Sequence, residues 1–213
     1  MAGDLVFYTN PMSRGRIVRW MLEELGQPYR TEILAYGPEM KAPAYRAVNP
    51  MGKVPALRHG ETVVTECAAI CAYLADAFPE ADLAPPPGSP ARGPYYRWLF
   101  FGAGPVEAAA TNKALGLELP DDPRARGTAG YGSLADVLDT LESAVAGQDY
   151  LAGGRFSAAD VYLGSHLGWG MAFGTLEKRP AFVSYTGRLF ARPARARAAA
   201  IDDALMPPPP APV

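Results

Sequence analysis

The chain has few of the residues from which metal centres and cross-links are built: two cysteines and two histidines among 213 residues. Cys67 and Cys71 stand four apart in one helical run, a spacing that rarely suits disulfide geometry and is not a Cys-x-x-Cys motif. Both are expected to be reduced thiols in or near a core. His59 falls in a turn and His166 on a helix, too isolated for a metal site or a catalytic triad. There is no zinc spacing and no glycine-rich phosphate loop, so no metal is expected. The formal net charge is only -2, which offers no electrostatic grip on nucleic acid or an anionic membrane. No apolar run approaches the roughly 20 residues of a membrane span, and Met1-Ala2-Gly3-Asp4 lacks a basic signal segment. A soluble, cytoplasmic protein is expected.

What is present is ordinary for a folded chain, with 49% hydrophobic and 20% charged residues. The length suits one large domain or two small ones. Over residues 1–83, short apolar runs alternate with helical patterns. Leu5 to Thr9 reads as a strand, followed by a loop in which Ser13 is placed to cap a helix carrying Ile17, Trp20, Met21, Leu22 and Leu25. Tyr29 to Leu34 reads as a second strand and Pro38 to Ala47 as a weaker helix. Val54 to Leu57 and Thr62 to Val64 flank a hairpin turn, and a helix runs from Glu66 to Phe78. Residues 84–90 form a proline-rich linker. Residues 91–201 show helical patterns only, with helices beginning at Tyr95, over Leu134 to Val145, Val161 to Met171 and Ala181 to Ala191, and a last short one ending near Ile201. Ser157-x-x-Asp160 is a capping box, which stabilises a helix and needs no catalytic role. Residues 202–213 are rich in proline and are expected to be a tail outside the core.

The stretch Asn49-Pro-Met-Gly-Lys-Val-Pro-Ala-Leu57 carries the most chemistry. Pro55 has no N–H to give to a ladder, so Val54-Pro55 is a turn or a strand edge. An edge would leave the N–H and C=O of Val54 able to pair with an extended peptide laid beside it. Glu66, opening a helical run, adds a carboxylate beside helix N–H groups that attract anions. Together these describe a pocket for a small zwitterionic peptide.

That arrangement resembles the glutathione transferase family over roughly residues 4 to 200. Asn49 to Leu57 is similar to its glutathione-binding loop, in which the proline, here Pro55, is cis. Thr65-Glu66-Cys67-Ala68-Ala69-Ile70 is similar to its Glu-Ser-x-Ala-Ile segment, and Phe156 to Asp160 to the capping box of its helical domain. The resemblance implies an α/β thioredoxin-like N-terminal domain of order β-α-β-α-β-β-α and an all-α C-terminal helical bundle. It also implies a homodimer and glutathione as co-substrate, attacking a hydrophobic electrophile.

Such chemistry needs the thiol as thiolate. Lowering an ordinary thiol pKa of about 8.5 by two units takes about 2.7 kcal/mol of preferential stabilisation, which one short hydrogen bond and a helix N-terminus can supply. The donor belongs in the loop after the first strand, where Tyr8, Thr9, Asn10 and Ser13 are available. Ser13 matches the family position best, with Tyr8 and Asn10 as the other catalytic candidates. By motif, Val54 pairs with the cysteinyl backbone and Glu66 meets the γ-glutamyl ammonium. Cys67 stands where the family usually carries a serine that meets the γ-glutamyl carboxylate. Lys41 and Lys53 are candidates for the glycyl carboxylate. Met12, Phe101, Pro105 and Trp169 are candidates for an apolar electrophile site. The rival readings are a non-catalytic ligand-binding or regulatory module, and a glutathione-dependent peroxidase, disulfide reductase or isomerase.

Overall fold

In the computed structural model, which describes residues 4–206, the chain divides into two compact units. One runs through Leu74 and resumes at Arg192; the other is Ala75–Ala191. The first unit opens with β1 (Leu5–Thr9), α1 (Gly15–Leu25), β2 (Arg30–Ile33), and the short α2 (Pro38–Lys41) and α3 (Pro43–Arg46). It continues with β3 (Ala56–His59), β4 (Thr62–Thr65) and α4 (Cys67–Ala77), giving the expected thioredoxin-like arrangement of a four-stranded sheet with helices. Strand order is β2-β1-β3-β4, with β1 parallel to β2 and antiparallel to β3. Leu5, Val6 and Phe7 are all buried, the continuous apolar run of a central strand covered on both faces. On α1, Ile17, Val18, Met21 and Leu22 are fully buried.

Three local expectations shift. The helix expected over Pro38 to Ala47 is broken at Ala42, which is extended (φ -65°, ψ 147°) because Pro43 disfavours helical geometry in the residue before it. The third strand begins at Ala56 rather than Val54, so Pro55 lies just outside it. Helix α4 begins at Cys67, with Glu66 outside the helix.

The second unit is helical: α5 (Arg92–Phe101), a π-helical turn (Gly102–Val106), α6 (Glu107–Leu115), α7 (Pro123–Ala129), α8 (Leu134–Val145), α9 (Ala158–Phe173) and α10 (Pro180–Phe190). Every residue of α9 from Ala158 to Leu167 is buried, including the polar Asp160, Ser165 and His166, so this part of the helix is enclosed on all sides. The capping box at its start is formed. Asp160 accepts the N–H and hydroxyl of Ser157, the N–H of Leu151 and the hydroxyl of Tyr185, at 2.6–2.9 Å.

The last helix, α11 (Pro193–Ala204), belongs to the first unit and lies against α1. Its anchor is a buried ion pair in which Arg19 Nε donates to Asp202 Oδ1 at 2.7 Å, each side chain 1% exposed. Arg19 also donates to the hydroxyls of Tyr29 and Thr31 at 3.1 and 3.3 Å, with its guanidinium 5.2 Å from the Phe7 ring centre. Burial raises the Asp202 pKa, and the Arg19 charge pulls it back, so the pair is costly to bury and costlier to break. Glu24 grips Arg192 through two bonds of 2.6 and 2.8 Å, and Arg16 reaches Asp203 at 2.6 Å. The compact units therefore differ from the boundaries expected at 1–83 and 91–201: the last helix joins the first unit, and residues 202–204 of the expected tail are helical. The physical reason is Asp202, whose charge is satisfied only by an arginine 183 positions away. Residues 207–213 of that tail lie outside the described residues.

Replacing Asp202 by Ala should lower the unfolding free energy by about 3–5 kcal/mol, since Arg19 is left buried and unpaired. Asp203→Ala, which removes an exposed pair, should cost under about 1 kcal/mol. Urea unfolding of the two variants checks this; equal losses would show that burial of the pair is not what holds α11.

Candidate functional site

Strand register brings four chain turns to one end of the sheet. Thr9 pairs with Ile33, Tyr8 with Ala56, and Ala56 with Thr65. The loop after β1 (Asn10 to Arg14), the loop after β2 (Leu34 to Gly37), the segment before β3 (Val54, Pro55) and the turn after β4 (Glu66, Cys67) therefore all leave that end. Ser13, Val54, Glu66 and Cys67, up to 54 positions apart in the chain, converge there.

The β1 loop is tightly braced. Asn10 donates its side-chain N–H to Leu34 O at 2.9 Å and accepts the Met12 N–H at 2.9 Å, so both ends of its amide are used in shaping the loop. The Ser13 hydroxyl donates to Asn10 O at 2.7 Å and accepts the N–H of Gly15, the first residue of α1, at 2.9 Å; the N-cap position itself is Arg14, without a side-chain cap, rather than Ser13 as expected. Tyr8 is half-buried with its ring 5.7 Å from that of Tyr45, and its hydroxyl makes no hydrogen bond among the described residues. Gly15 is required by close approach: a Cβ there would lie 1.9 Å from Thr9 Oγ1 and 2.9 Å from Ser13 Oγ.

The Val54-Pro55 peptide is cis, as the resemblance implies. Neither the N–H nor the C=O of Val54 makes a hydrogen bond among the described residues, because β3 pairing stops at Ala56 on both sides. The backbone just before it is held, with Lys53 O accepting from Tyr45 Oη and Asn49 Nδ2 at 2.7 Å each. Glu66 is exposed and takes a left-handed conformation (φ 66°) that costs a non-glycine residue about 1–3 kcal/mol and is concentrated at ligand sites. Cys67 follows as the first residue of α4, so its N–H lies at the positive end of that helix. Its thiol donates to Arg14 O at 3.2 Å, tying the start of α4 to the Ser13 loop. Cys71 lies one turn deeper, where burial pushes its pKa up to about 12.

The two lysines differ. Lys41 Nζ donates to Met51 O and Gly52 O at 2.9 and 2.8 Å, so its ammonium braces the loop ahead of Lys53. The Lys53 side chain is exposed and forms no ion pair among the described residues. Of the apolar candidates, Met12 is exposed in the first unit, while Phe101, Pro105 and Trp169 are half-buried in the second. In that second unit Tyr162 donates to Glu107 Oε1 at 2.5 Å, and His166 Nε2 lies 3.2 Å from the same oxygen. Among the described residues no group of histidine, cysteine and acidic side chains could hold a metal ion, and no helix is long and apolar enough to cross a membrane.

Tyr36 was not among the residues singled out by sequence. Its hydroxyl donates to Met12 O at 3.3 Å, against the loop after β1. Nothing local signals this, since the contact arises from the pairing of β1 with β2. Gly15 carried a signal that could have been read: a glycine between two arginines in the first turn of an otherwise good helix needs a steric reason.

Gly15→Ala should displace the Ser13 hydroxyl and destabilise the fold by about 1–3 kcal/mol, the usual cost of forcing an atom into a packed site. Thermal unfolding and ligand affinity, measured together, check it; an unshifted melting temperature would mean that the loop yields without strain.

Residues 12–77 match the family model described as glutathione S-transferase, N-terminal domain, and residues 121–180 the model of its C-terminal domain. The chain is 35% identical over 129 residues to glutathione S-transferase GstA of Escherichia coli O157:H7, a match that covers 60% of this chain and 62% of that protein, less than two thirds of its length. It is 26% identical to human glutathione S-transferase theta-2B, over 75% of this chain and 68% of the relative. Among solved structures, a glutathione S-transferase from Xylella fastidiosa aligns with a TM-score of 0.77 at 27% identity, covering 93% of this chain and 98% of that one. Glutathione transferase URE2P6 of Phanerochaete chrysosporium, in complex with oxidized glutathione, aligns with a TM-score of 0.79 at 28% identity, covering 96% and 98%. With both family models matched and the whole fold shared, the chain belongs to the glutathione S-transferase family.

Proposed function

We propose that this chain is a glutathione transferase that binds glutathione at the loop end of its sheet and ionises the thiol for attack on a hydrophobic electrophile. The observation that carries this reading is the unpaired peptide of Val54, on the same sheet end as the Ser13 hydroxyl and the start of α4. A cysteinyl unit laid antiparallel to Val54 satisfies both of its backbone groups. Glu66 then receives the γ-glutamyl ammonium, and the Cys67 N–H, at a positive helix end, receives the γ-glutamyl carboxylate. The thiol replaces the usual serine hydroxyl at Cys67, and its S–H is already given to Arg14 O, so that carboxylate depends on backbone donors. Lys53 is the freer cation for the glycyl carboxylate, with Lys41 holding the loop that presents it. The sulfur falls to Ser13, whose hydroxyl sits at the N-terminus of α1 where the helix field favours an anion. Glutathione bound in relatives of shared fold supports the choice of ligand. A homodimer is the assembly this reading expects, to be tested by sedimentation.

Ser13→Ala should cut conjugation about 10- to 1000-fold, the scale of losing one preorganised donor. The same variant should return the pKa of bound glutathione, read from thiolate ultraviolet absorbance against pH, toward its free value. A lowered pKa that survives the substitution would reassign the donor to Tyr8 or Asn10. No bound thiolate in the wild type would favour a non-catalytic binding module. Glu66→Gly should separate two roles of one residue. It relieves a left-handed backbone strain of about 1 kcal/mol and so raises thermal stability. It also removes the carboxylate and raises the half-saturating glutathione concentration about tenfold or more. A stability gain without weaker binding would leave Glu66 no part in the ligand site.

A further inference from the structure

Arg16, on the first turn of α1, holds two separate parts of the first unit with one guanidinium. Its Nε donates at 2.6 Å to Pro11 O in the loop after β1, and its Nη2 donates at 2.6 Å to Asp203 Oδ1 on α11. Both donors belong to a single planar fork, so fixing one end orients the other. Pro11 is buried, and Arg16 is the one donor its carbonyl has among the described residues. The N–H of the same peptide, that of Met12, is held by Asn10 Oδ1 at 2.9 Å. The Pro11-Met12 peptide is therefore pinned at both polar atoms, directly ahead of Ser13. We propose that Arg16 is a strap and Asp203 its anchor: through this guanidinium the last helix sets the Pro11-Met12 peptide, and with it the aim of the Ser13 hydroxyl. The inference rests on the glutathione reading given above. Arg16 and Asp203 are positioning residues in it, acting on the thiol through Ser13.

Pro11 and Met12 are the central residues of a β-turn, closed by the Ser13 N–H on Asn10 O at 3.0 Å. The Ser13 hydroxyl returns to that same oxygen at 2.7 Å, so Ser13 takes its position from the turn. The direction of the central carbonyl is what distinguishes one turn geometry from another, and that is the atom Arg16 holds. An exposed ion pair contributes little to stability, and the Asp203 side chain is 64% exposed. Its use is orientation. Without Asp203 the guanidinium is free to turn toward water, and the Pro11 carbonyl then loses its donor. A second tie between the same helices, Arg197 Nε to Glu23 Oε2 at 3.1 Å, does not reach the loop. It serves as the control that separates a lost strap from a loosened helix.

The pKa of the bound glutathione thiol would be measured by ultraviolet titration, together with glutathione affinity and melting temperature. The proteins compared are wild type, Asp203→Ala, Asp203→Asn, Arg197→Ala, Arg16→Ala and Ser13→Ala, with Asp203→Ala also placed in the last two backgrounds. Asp203→Ala is expected to raise the pKa by about half a unit, about threefold less thiolate at neutral pH, with affinity unchanged. Asp203→Asn, which keeps an oxygen for Arg16 Nη2, and Arg197→Ala should not raise it. In the Arg16→Ala and Ser13→Ala backgrounds Asp203→Ala should have no further effect; a further rise in either would overturn the strap. A pKa lowered equally by both Asp203 variants would overturn it, since the carboxylate would then act by charge alone. An equal rise in Arg197→Ala and Asp203→Ala would do the same, since the seating of α11 as a whole would be the cause. A pKa unmoved by Asp203→Ala, beside a wild type that forms thiolate and a Ser13→Ala that loses it, would sink the strap and leave the transferase reading standing. A wild type that forms no thiolate at any pH would overturn both.

Discussion

Strand β1 has its pairing set on both sides at once, with Thr9 against Ile33 in the parallel direction and Tyr8 against Ala56 in the antiparallel one. A slip of one residue on either side would turn every side chain of a strand to the opposite face and take buried Leu5, Val6 and Phe7 out of the core. That constraint decides where the connections leave the sheet. Because β3 stops pairing at Ala56, the Val54 peptide remains open to a ligand backbone. Because β4 ends opposite the same residue, Glu66 and the first turn of α4 arrive beside it. The loop end of the sheet is a consequence of register before it is a consequence of any one side chain.

Ser13 sits at the N-terminus of α1, and Arg19 fixes where that helix lies. The guanidinium lies against Phe7 of β1, donates to Tyr29 before β2 and to Thr31 on it, and pairs with Asp202 of α11. One buried cation thus links two helices to two strands. Replacing a buried pair by apolar side chains is often neutral, whereas removing one partner leaves a buried charge uncompensated, so Arg19 and Asp202 are tied to each other. At the other end of α1 the same precision is steric: Gly15 leaves room for Thr9 and the Ser13 hydroxyl at distances no other residue allows. Against this rigid background Glu66 can be kept in a left-handed conformation that its own side chain disfavours.

Thiolate formation near neutral pH asks for about 2.7 kcal/mol, and no single group at this sheet end needs to supply it all. On the function proposed above, the N-terminus of α1 and the Ser13 hydroxyl would share it. Asn10 and Lys41, candidates for the sulfur and for the glycyl carboxylate, hydrogen-bond Leu34, Met12, Met51 and Gly52. Those bonds brace the loops on which the proposed site is built.

Much of this was readable from local pattern. The short apolar run of Leu5 to Thr9, the helical spacing of Ile17 to Leu25, the Val54-Pro55 dipeptide and the Ser157-x-x-Asp160 box depend on residues a few positions apart, and they emerge largely as read. Where local sterics were overlooked the reading slipped, as at Ala42, which Pro43 removes from the helix. The allegiance of α11, the contact of Tyr36 with Met12 and the employment of Lys41 were of another kind. Each depends on atoms brought together across the chain by strand register or by a buried charge seeking its partner, as Asp202 finds Arg19. The sequence alone determined which elements form and which family motif they carry, because propensity and periodicity act over a few residues. The tertiary structure alone decided which polar atoms are left over for a ligand, because that is known only after every long-range partner has been counted.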